Sequence, residues 1–527
     1  MRRLFIFILF FGRALTTLTA QSTSNAVPAP VENDFQGIIS FLASDWMEGR
    51  ETGTNGALMA ADYIASMMQV NGVMPYGDAA LKNDSGFSRK TCLTYLQNFK
   101  MIRCQVEKSS LALIRNSSDA ESLLLFAPGA DYKTDPVPFG REAEAMVIYA
   151  GYGIEAPGKG YNDYAGIDVR NRIVMILDGY PGNADTTSPA WKKLGSSFGE
   201  DFAALKKKLK TAEKHGALAV IYVDPKVLNN ALNNALPEDD DDNFRHYLPG
   251  DTGKLQIPCF MTGKDATLQI LDGSGIDMTD FEKKAALNLS TASAPMQGKK
   301  LRFSITMKSE EIIIRNVLGI IRGSDTTRNI IVGAHYDHLG VRKGKVFNGA
   351  DDNASGVAGM LALAKVWAKC AEKPRCNIIF AAWTGEEKGK LGSNYFSRNS
   401  RILPDRLFLV VNLDMISRSA PEDKAGRQLS IGTLTANEDL RTIAKTINSK
   451  LEKPFVLELW DVTGYSGSDY GPFTARKVPI ITFHAGFPDE YHTPLDDAER
   501  ADPAKMENIL KIVNDCIREA TENPPVR

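Results

Sequence analysis

One stretch, residues 333–356, constrains the fold of this chain more than any other. A β-rich apolar segment runs into His335, and a glycine-bearing loop then leads to Asp352 and to a helix predicted from about Ala354. Ligands of open α/β folds bind beyond the carboxyl ends of the strands, where a strand-end histidine and a helix-start aspartate can meet. Imidazole and carboxylate are both ligands of zinc. The stretch therefore predicts an α/β fold with a metal site at one edge of its sheet.

The surrounding sequence supports that fold class. From about Glu310 long apolar strands alternate with helices, which is typical of a mostly parallel, twisted sheet with helices on both faces. The predicted strands are 312–321, 329–334, 377–383, 407–413 and 478–483, and the predicted helices are about 354–368, 438–449 and 503–520.

Length and composition predict more than one structural unit. The chain has 527 residues, of which 43% are hydrophobic and 24% charged, as in globular proteins with a sizeable core. We expect an N-terminal part at 31–130 that joins the same domain as a C-terminal unit at 310–520, with a β-rich insert at 139–290 between them. The net charge of −2 argues against nucleic-acid binding driven by bulk charge.

Residues 1–20 have the features of a secretory signal peptide. Two arginines precede a short apolar core, and a small residue, Ala20, ends the segment. The apolar core is too short to span a bilayer comfortably, which disfavours a membrane anchor. We therefore predict an exported protein, periplasmic or extracellular, with no membrane association after cleavage.

The cysteines of an exported chain are candidates for disulfide bonds. Buried free thiols are the alternative for all of them. Two pairs are close enough in sequence to bond, Cys92 with Cys104 and Cys370 with Cys376, whereas Cys259 and Cys516 are expected to be free.

For several polar segments we favour a structural interpretation over a functional one. The glycine-rich loop 47–56 is expected to connect two helices rather than to pack near a site. The acidic run 238–242 is expected to be a solvated loop rather than a calcium site. Asp351 is expected to be a helix-start residue. The remaining histidines are expected to be pocket or packing residues (His338, His484) or surface residues (His215, His246).

Acidic and imidazole groups follow the strand ends repeatedly in the C-terminal unit. Glu386 and Glu387 follow the third predicted strand, Asp414 the fourth, and His492 the last. Ionised carboxylates are almost never buried without partners, so core packing does not explain these positions.

Charge balance indicates two metal ions. Asp352, Glu387 and Asp414 bring three negative charges, and a bridging hydroxide brings a fourth, which balances two divalent cations. His335 and His492 complete the ligand set. One carboxylate must then bridge two ions that lie roughly 3.5–4 Å apart. Mixed nitrogen and oxygen ligands suit zinc, while cobalt and manganese stay open.

With these residues in place, the C-terminal unit resembles the co-catalytic di-zinc aminopeptidases related to bacterial leucyl aminopeptidase. The insert resembles a protease-associated domain, which is a weaker match. The resemblance implies a zinc exopeptidase fold, two Zn²⁺ per chain, and peptide substrates that lose N-terminal residues to a metal-activated hydroxide. It implies metal ligands at His335, Asp352, Glu387, Asp414 and His492, with Asp352 bridging the two ions.

The same resemblance implies three catalytic positions. Glu386, the first residue of the Glu-Glu pair, is the general base that takes the proton of the attacking water and returns it to the leaving amine. Asp337 orients His335, and Tyr465 donates a hydrogen bond to the oxyanion. The loop around Tyr465 lacks the cysteine pair that some relatives carry.

Other functions remain open at this point. A glutaminyl-cyclase-like acyltransferase shares much of the ligand set but would hold a single zinc, and a dipeptidase or carboxypeptidase could use the same fold. A catalytically silent binding protein is a further alternative, against which the intact Glu386 argues. The insert favours the peptidase, since small cyclases resemble the catalytic domain alone.

Overall fold

The structure is a computed structural model that describes residues 33–84, 88–116, 121–226, 244–251, 257–463 and 467–525. The predicted signal peptide at 1–20, the acidic run at 238–242 and Tyr465 lie outside the described residues. Within the described ranges, no helix combines the length and the apolar character that a bilayer crossing requires.

The scaffold consists of one large sheet, three small two-stranded sheets and the helices that cover them. In chain order the strands are β1 Met74–Pro75, β2 Ala79–Asp84, β3 Ser88–Leu93, β4 Leu96–Asn116, β5 Glu121–Phe126, β6 Tyr132–Thr134, β7 Arg141–Tyr149, β8 Glu155–Ala156, β9 Tyr161–Asn162, β10 Ile173–Leu177, β11 Ala219–Val223, β12 Phe244–Tyr247, β13 Cys259–Thr262, β14 Ala294–Ile321, β15 Asp325–His335, β16 Gly340–Arg342, β17 Lys345–Phe347, β18 Cys376–Trp383, β19 Leu407–Leu413, β20 Gln428–Thr433, β21 Val456–Asp461 and β22 Ile480–His484. The α-helices are Asn33–Leu42, Asn55–Val70, Pro189–Leu194, Leu205–Lys214, Lys264–Leu271, Met278–Asn288, Gly356–Ala368, Leu391–Asn399, Glu438–Asn448, Gly471–Thr474 and Pro503–Glu522.

The C-terminal unit has the mostly parallel sheet that its sequence predicts. The strand order is β21-β20-β22-β19-β15-β18-β14, and the pairs β15–β18, β15–β19, β19–β22 and β20–β21 are parallel. β14 and β20 run antiparallel to their neighbours β18 and β22. Because β15, β18 and β19 are parallel and adjacent, the residues that follow them are brought together at one edge of the sheet.

Helices cover both faces of this sheet, as predicted. Ile330 and Val332 of β15 belong to the core on one face, whereas Ile331 belongs to the core on the other, as the alternation of strand side chains requires. The first core is closed by the helices Asn33–Leu42, Asn55–Val70, Gly356–Ala368 and Pro503–Glu522. In the second core Trp383 packs against Phe396 and Phe473.

The insert is built on a second parallel segment of the same large sheet. Its strands β7, β10, β11 and β13 are parallel neighbours, and the residues of β10 are all buried. Strand β14 joins the two units, since it pairs with β7 near its start and with β18 through residues 317–321. The insert and the C-terminal unit are therefore connected by a continuous strand.

Two strands are much longer than their apolar patterns predict. The predicted run at 312–321 is the end of β14, and the apolar run around Leu111 is the end of β4. The two strands pair antiparallel from Lys300 opposite Ile114 to Val317 opposite Leu96. Backbone pairing continues through their polar middle, where no hydrophobic alternation marks a strand in the sequence.

The structure differs from the sequence interpretation at the cysteines and at one histidine. All six cysteines are free thiols, so neither of the candidate pairs is bonded. Cys104 is buried and its Sγ lies 3.8 Å from the carbonyl oxygen of Val137. His215, expected at the surface, is half-buried because its ring stacks on Tyr164 at a centroid distance of 4.4 Å.

Candidate metal centre

Three strand ends place the predicted ligands side by side. His335 is the last residue of β15, and it pairs in register with Trp383, the last residue of β18. Glu387 lies in the turn after β18, and Asp414 follows the end of β19. The convergence that the sequence predicts at the carboxyl edge of the sheet is therefore observed.

The first group of potential ligands contains His335, Asp352 and Asp414. His335 Nε2 lies 3.3 Å from Asp414 Oδ1 and 3.4 Å from Asp352 Oδ1. The imidazole is buried, and it faces both carboxylates with the same nitrogen. This arrangement offers one nitrogen and two oxygens to a single point.

The second group surrounds Glu387. His492 Nε2 lies 3.1 Å from Asp352 Oδ2 and 3.4 Å from Glu387 Oε1. Asp352 thus turns one carboxylate oxygen toward each group, which is the bridging position predicted for it. His492 has a side-chain exposure of 35%, and it lies at the open side of the centre.

His338 belongs to the second group as well, which the sequence interpretation did not foresee. Its Nδ1 lies 3.0 Å from Glu387 Oε1 and 3.7 Å from Asp352 Oδ2, and its ring is fully buried. It was predicted to be a pocket or packing residue and is indeed buried in the site, but it is also positioned as a potential ligand. A second histidine three residues after a strand-end histidine is the signal that identifies such a position.

The spacing of these atoms fits tetrahedral metal ions. Two ligands bound 2.0–2.1 Å from a tetrahedral ion are about 3.3 Å apart. The nitrogens of His335 and His492 lie 3.1–3.4 Å from the carboxylate oxygens of their groups. The donor set, imidazole nitrogen with carboxylate oxygen, is one that zinc accepts.

Electrostatics within the centre are dominated by burial and by mutual contacts of acids and histidines. Burial lowers the pKa of His335, but the carboxylates of Asp414, Glu386 and Asp352 together outweigh burial and raise that pKa well above its usual range. Burial raises the pKa of Glu387, but hydrogen bonds from His338 and His492 hold it well below the usual range. Positive charge placed among these carboxylates is therefore strongly stabilised.

Glu386, the predicted general base, points into the same cavity but differs from its neighbour. Burial raises the pKa of Glu386 well above its usual range despite the opposing effect of His335, and Asp469 and Glu387 raise it further. A carboxylate with an increased affinity for a proton, placed beside the two groups, is suited to proton transfer.

The Asp337 carboxylate holds the Glu386 loop rather than His335. Its Oδ1 accepts a hydrogen bond from the backbone N–H of Glu386 at 3.1 Å, and its Oδ2 accepts one from Thr52 Oγ1 at 2.7 Å. His335 Nδ1 is 4.0 Å from that carboxylate and only 3.2 Å from the backbone carbonyl oxygen of Asp337. The backbone of Asp337 is therefore the nearer partner of His335.

The loop 47–56 packs directly on the centre, so its interpretation as a simple helix connection is wrong. Arg50 is fully buried and donates hydrogen bonds to the backbone carbonyls of Tyr336, Asn348 and Gly349. These contacts fix the two segments that carry His335 and Asp352. The sequence signal was an arginine between glycines, but its partners lie almost 300 residues away.

One glycine is required by the geometry of the second group. Gly349 has φ +60°, and a Cβ atom there would lie 2.2 Å from the carbonyl oxygen of Asp352 and 2.5 Å from the ring of His338. Only glycine allows His338 to approach Asp352 so closely. Asp351, beside the ligand, turns away and accepts hydrogen bonds from the backbone and side chain of Ser417.

A cavity of about 640 Å³ opens over both ligand groups. His484 lines it, as predicted for a pocket residue, and Trp460, Phe487 and Tyr491 give it aromatic walls. Six carboxylates line the cavity, and no lysine or arginine does so among the described residues: the acids are Asp352, Glu386, Glu387, Asp414, Glu458 and Asp461. The cavity is therefore strongly acidic.

Comparison with known proteins gives a family match for the C-terminal unit. Residues 316–517 match the model of peptidase family M28. A probable glutamate carboxypeptidase of Arthroderma benhamiae is 26% identical over 261 residues, which cover 43% of this chain and 33% of that protein. The aminopeptidase YwaD of Bacillus subtilis is 28% identical over 222 residues, which cover 40% of this chain and 45% of that protein. The chain thus spans less than half the length of these relatives.

A solved structure shares the whole fold. The aminopeptidase from Aneurinibacillus sp. strain AM-1 superimposes with a TM-score of 0.55 at 20% sequence identity, over 94% of this chain and 95% of that one. At this identity the likeness concerns the fold alone. It confirms the predicted fold class of a large, mostly parallel α/β sheet covered by helices.

Proposed function

We propose, from the match of residues 316–517 to the model of peptidase family M28, that this protein is an exported, zinc-dependent aminopeptidase. The observation that carries the proposal is the pair of ligand groups joined by Asp352, with Glu386 beside them in one cavity. Export follows from the predicted signal peptide at 1–20, and we retain the assignment of 139–290 as a protease-associated-like insert.

We assign the two zinc ions to the two ligand groups. His335 and Asp414 would hold one ion, Glu387 and His492 would hold the other, and Asp352, which turns one oxygen toward each group, would contribute to both. When bound, the two ions supply the positive charge that lowers the pKa of an attacking water and polarises the peptide carbonyl.

Glu386 performs the proton transfers in this proposal. Its carboxylate accepts a proton from the water that attacks the scissile carbonyl carbon. It then delivers that proton to the nitrogen of the leaving amine, and the C–N bond breaks as the new carboxyl group forms. Asp337 keeps Glu386 in place through the backbone N–H of Glu386. Tyr465, outside the described residues, is proposed as the hydrogen-bond donor to the oxyanion.

The charge of the cavity favours an aminopeptidase over a carboxypeptidase. A peptide that enters amino end first brings an ammonium group, which the lining carboxylates outside the zinc ligand set, Glu386, Glu458 and Asp461, attract. A peptide that enters carboxyl end first brings a carboxylate, and no lysine or arginine among the described lining residues receives it. Burial of an unpaired carboxylate beside other carboxylates is costly, so the second orientation is disfavoured.

The test combines a metal count with turnover of leucyl arylamide and of its N-acetylated form. We expect two zinc ions per chain, release of the arylamine from the free-amine substrate, and little release from the acetylated one. Glu386→Gln should keep both zinc ions and lose at least about 100-fold in kcat, the usual contribution of a general base. Glu422→Gln, at an exposed position that does not line the cavity, is the matched control and should keep full activity.

Two results would contradict the proposal. Turnover that persists in Glu386→Gln would remove Glu386 from the proton transfers. One zinc per chain with no arylamide turnover, combined with cyclisation of an N-terminal glutamine, would assign the protein to the acyltransferase function instead.

A further inference from the structure

A second cavity, of about 760 Å³, lies between the insert and the C-terminal unit. The insert contributes one face of the helix Leu205–Lys214, and the C-terminal unit contributes the turn 388–390 and the helix Leu391–Asn399. β12, which pairs with β4, forms a further wall. The volume lies within the range of small-molecule and peptide sites.

The lining of this cavity is basic, in contrast to that of the first. Asp135 is the one carboxylate among its described lining residues. The lysines and arginines that line it are Lys206, Lys210, Arg245, Lys388, Lys390 and Arg398. His246, which was expected at the surface, is half-buried in the same wall.

Four of these cations, Arg245, Lys388, Lys390 and Arg398, are paired with carboxylates. Arg398 contacts Asp251 at 2.6 Å, and Lys388 contacts Glu51 at 2.8 Å. Asp251 and Glu51 do not line the cavity, whereas Asp135, which contacts Arg245 at 3.6 Å, does. The described lining therefore has an excess of cationic residues, six against one carboxylate.

Residues that line the basic cavity are neighbours of residues that line the acidic cavity. Lys390 Nζ lies 3.8 Å from Glu386 Oε1, and Lys388 follows Glu387 directly in the chain. Tyr470 lines the acidic cavity, and the next residue, Gly471, lines the basic one. Glu386 thus lines the acidic cavity and lies beside Lys390 of the basic one.

We infer that the basic cavity binds the part of the peptide that follows the scissile bond and selects peptides that carry carboxylates there. The inference rests on the proposed function, in which Glu386 delivers a proton to the leaving amine. The leaving peptide must then lie on the Glu386 side, and the basic cavity is the space that continues from it. Its carboxylates come from acidic side chains or from the free C-terminus.

Three leucyl peptides of equal length test the inference at low ionic strength. Leu-Ala-Ala-Glu-Glu and Leu-Ala-Ala-Lys-Lys, both amidated at the C-terminus, differ in side-chain charge. Leu-Ala-Ala-Ala-Ala is compared as free acid and as amide. Two ratios of wild-type kcat/KM are measured: the Glu-Glu peptide over the Lys-Lys peptide, and the free acid over the amide. We expect at least one of these ratios to be about ten, and added salt should reduce it.

Charge-reversal variants test whether the basic cavity causes the difference in kcat/KM. The double variant Lys206→Glu/Lys210→Glu should bring that ratio close to one. Lys192→Glu/Lys193→Glu makes the same change of charge on an exposed helix of the insert that does not line the cavity, and it should keep the wild-type ratio and the wild-type rate on leucyl arylamide. Thermal unfolding of both variants checks that they are folded.

The outcomes separate the inference from the proposed function. A preference for the Glu-Glu peptide alone assigns the cavity to side chains, and a preference for the free acid alone assigns it to the C-terminus. A ratio near one in the wild type, or a ratio that the cavity variant leaves unchanged, overturns the inference while the aminopeptidase stands. Absence of leucyl arylamide turnover in the zinc-loaded wild type overturns the proposed function itself.

Discussion

The insert and the C-terminal unit both bury carboxylates, but they surround them differently. Asp163 of the insert is fully buried, and it accepts hydrogen bonds from the backbone N–H groups of Tyr152 and Ile154 and from the hydroxyl of Tyr161. In the C-terminal unit, Asp352 and Glu387 face histidines and each other. In the insert, hydrogen-bond donors surround a single carboxylate. In the C-terminal unit, several carboxylates lie close to one another.

The difference distinguishes a structural carboxylate from a metal-binding one. Burial raises the pKa of Asp163 to about 7, although its three donors oppose the shift. These hydrogen bonds, with the charge of the buried Lys208 nearby, stabilise the carboxyl group there without a metal ion. Around Asp352 the buried cation Arg50 directs its guanidinium to backbone carbonyls, so it does not neutralise the carboxylates directly. In the proposed function, zinc ions would supply the missing positive charge.

We expect the largest difference in zinc content and activity when an Asp→Asn substitution is made in each of the two regions. Asp352→Asn removes the charge shared by both ligand groups, and we expect zinc to be lost and kcat/KM to fall by more than the 10–100-fold typical of outer-sphere partners. Asp163→Asn should keep zinc and activity, because an amide can accept the two backbone hydrogen bonds and donate to Tyr161. Metal analysis and arylamide kinetics measure both. Equal losses of zinc and of kcat/KM in the two variants would show that the two carboxylates do not differ in metal binding.

Metal removal should destabilise the two units unequally. At a free zinc concentration 1,000 times the dissociation constant, binding contributes about 4 kcal/mol to the folded state. After chelation we therefore expect faster amide exchange in the segment 336–355, with β10 and β11 of the insert unaffected until global unfolding. Hydrogen exchange followed by mass spectrometry reports both regions in one experiment. Uniform loss of protection across the chain would show that the ions stabilise the whole fold rather than the centre.

Truncation of Asp163 should affect stability without affecting catalysis. Asp163→Ala leaves buried donors without an acceptor, which costs about 1–3 kcal/mol in the free energy of unfolding. Asp163→Asn is the matched control and should remain within about 1 kcal/mol of the wild type. Denaturant unfolding of the two variants measures the difference. A similar cost for both would mean that the negative charge itself, rather than hydrogen bonding, stabilises the insert.

The smallest expected effect concerns the histidine that the sequence interpretation placed outside the ligand set. His338 Nδ1 contacts Glu387, so His338→Gln should weaken the second zinc by about tenfold, through loss of a ligand or of a partner that holds one. His484→Gln, in the same cavity but outside both groups, is the control. Competition with a chelating dye gives the two affinities. An unchanged affinity in His338→Gln would make His338 a packing residue, as first expected.

The sequence was sufficient to predict the site residues whose positions follow from the local pattern of apolar strands. His335, Glu387 and Asp414 follow apolar strands, and parallel strands must end at a common edge, so their convergence was predictable. Arg50 and His338 were not recognised, because their partners are distant in the chain. Arg50 donates to the carbonyl oxygen of Gly349, and His338 contacts Glu387. Tyr465 stays a prediction.

The long strands were underestimated for a related reason. The middle of β14 around Glu310 and Glu311 is polar and exposed, and it is held by backbone pairing with β4 and by ion pairs such as Lys100–Glu311. Hydrophobic alternation, the signal that marks a half-buried strand, is absent there. The sequence alone therefore did not reveal that the two units share one sheet.

Anomalous X-ray diffraction at the zinc edge, on crystals of the zinc-saturated protein, tests the central claim most directly. The account predicts two peaks roughly 3.5–4 Å apart, one beside His335 and Asp414 and the other beside Glu387 and His492, with Asp352 between them. A single peak, or two peaks that share no carboxylate at Asp352, would contradict it.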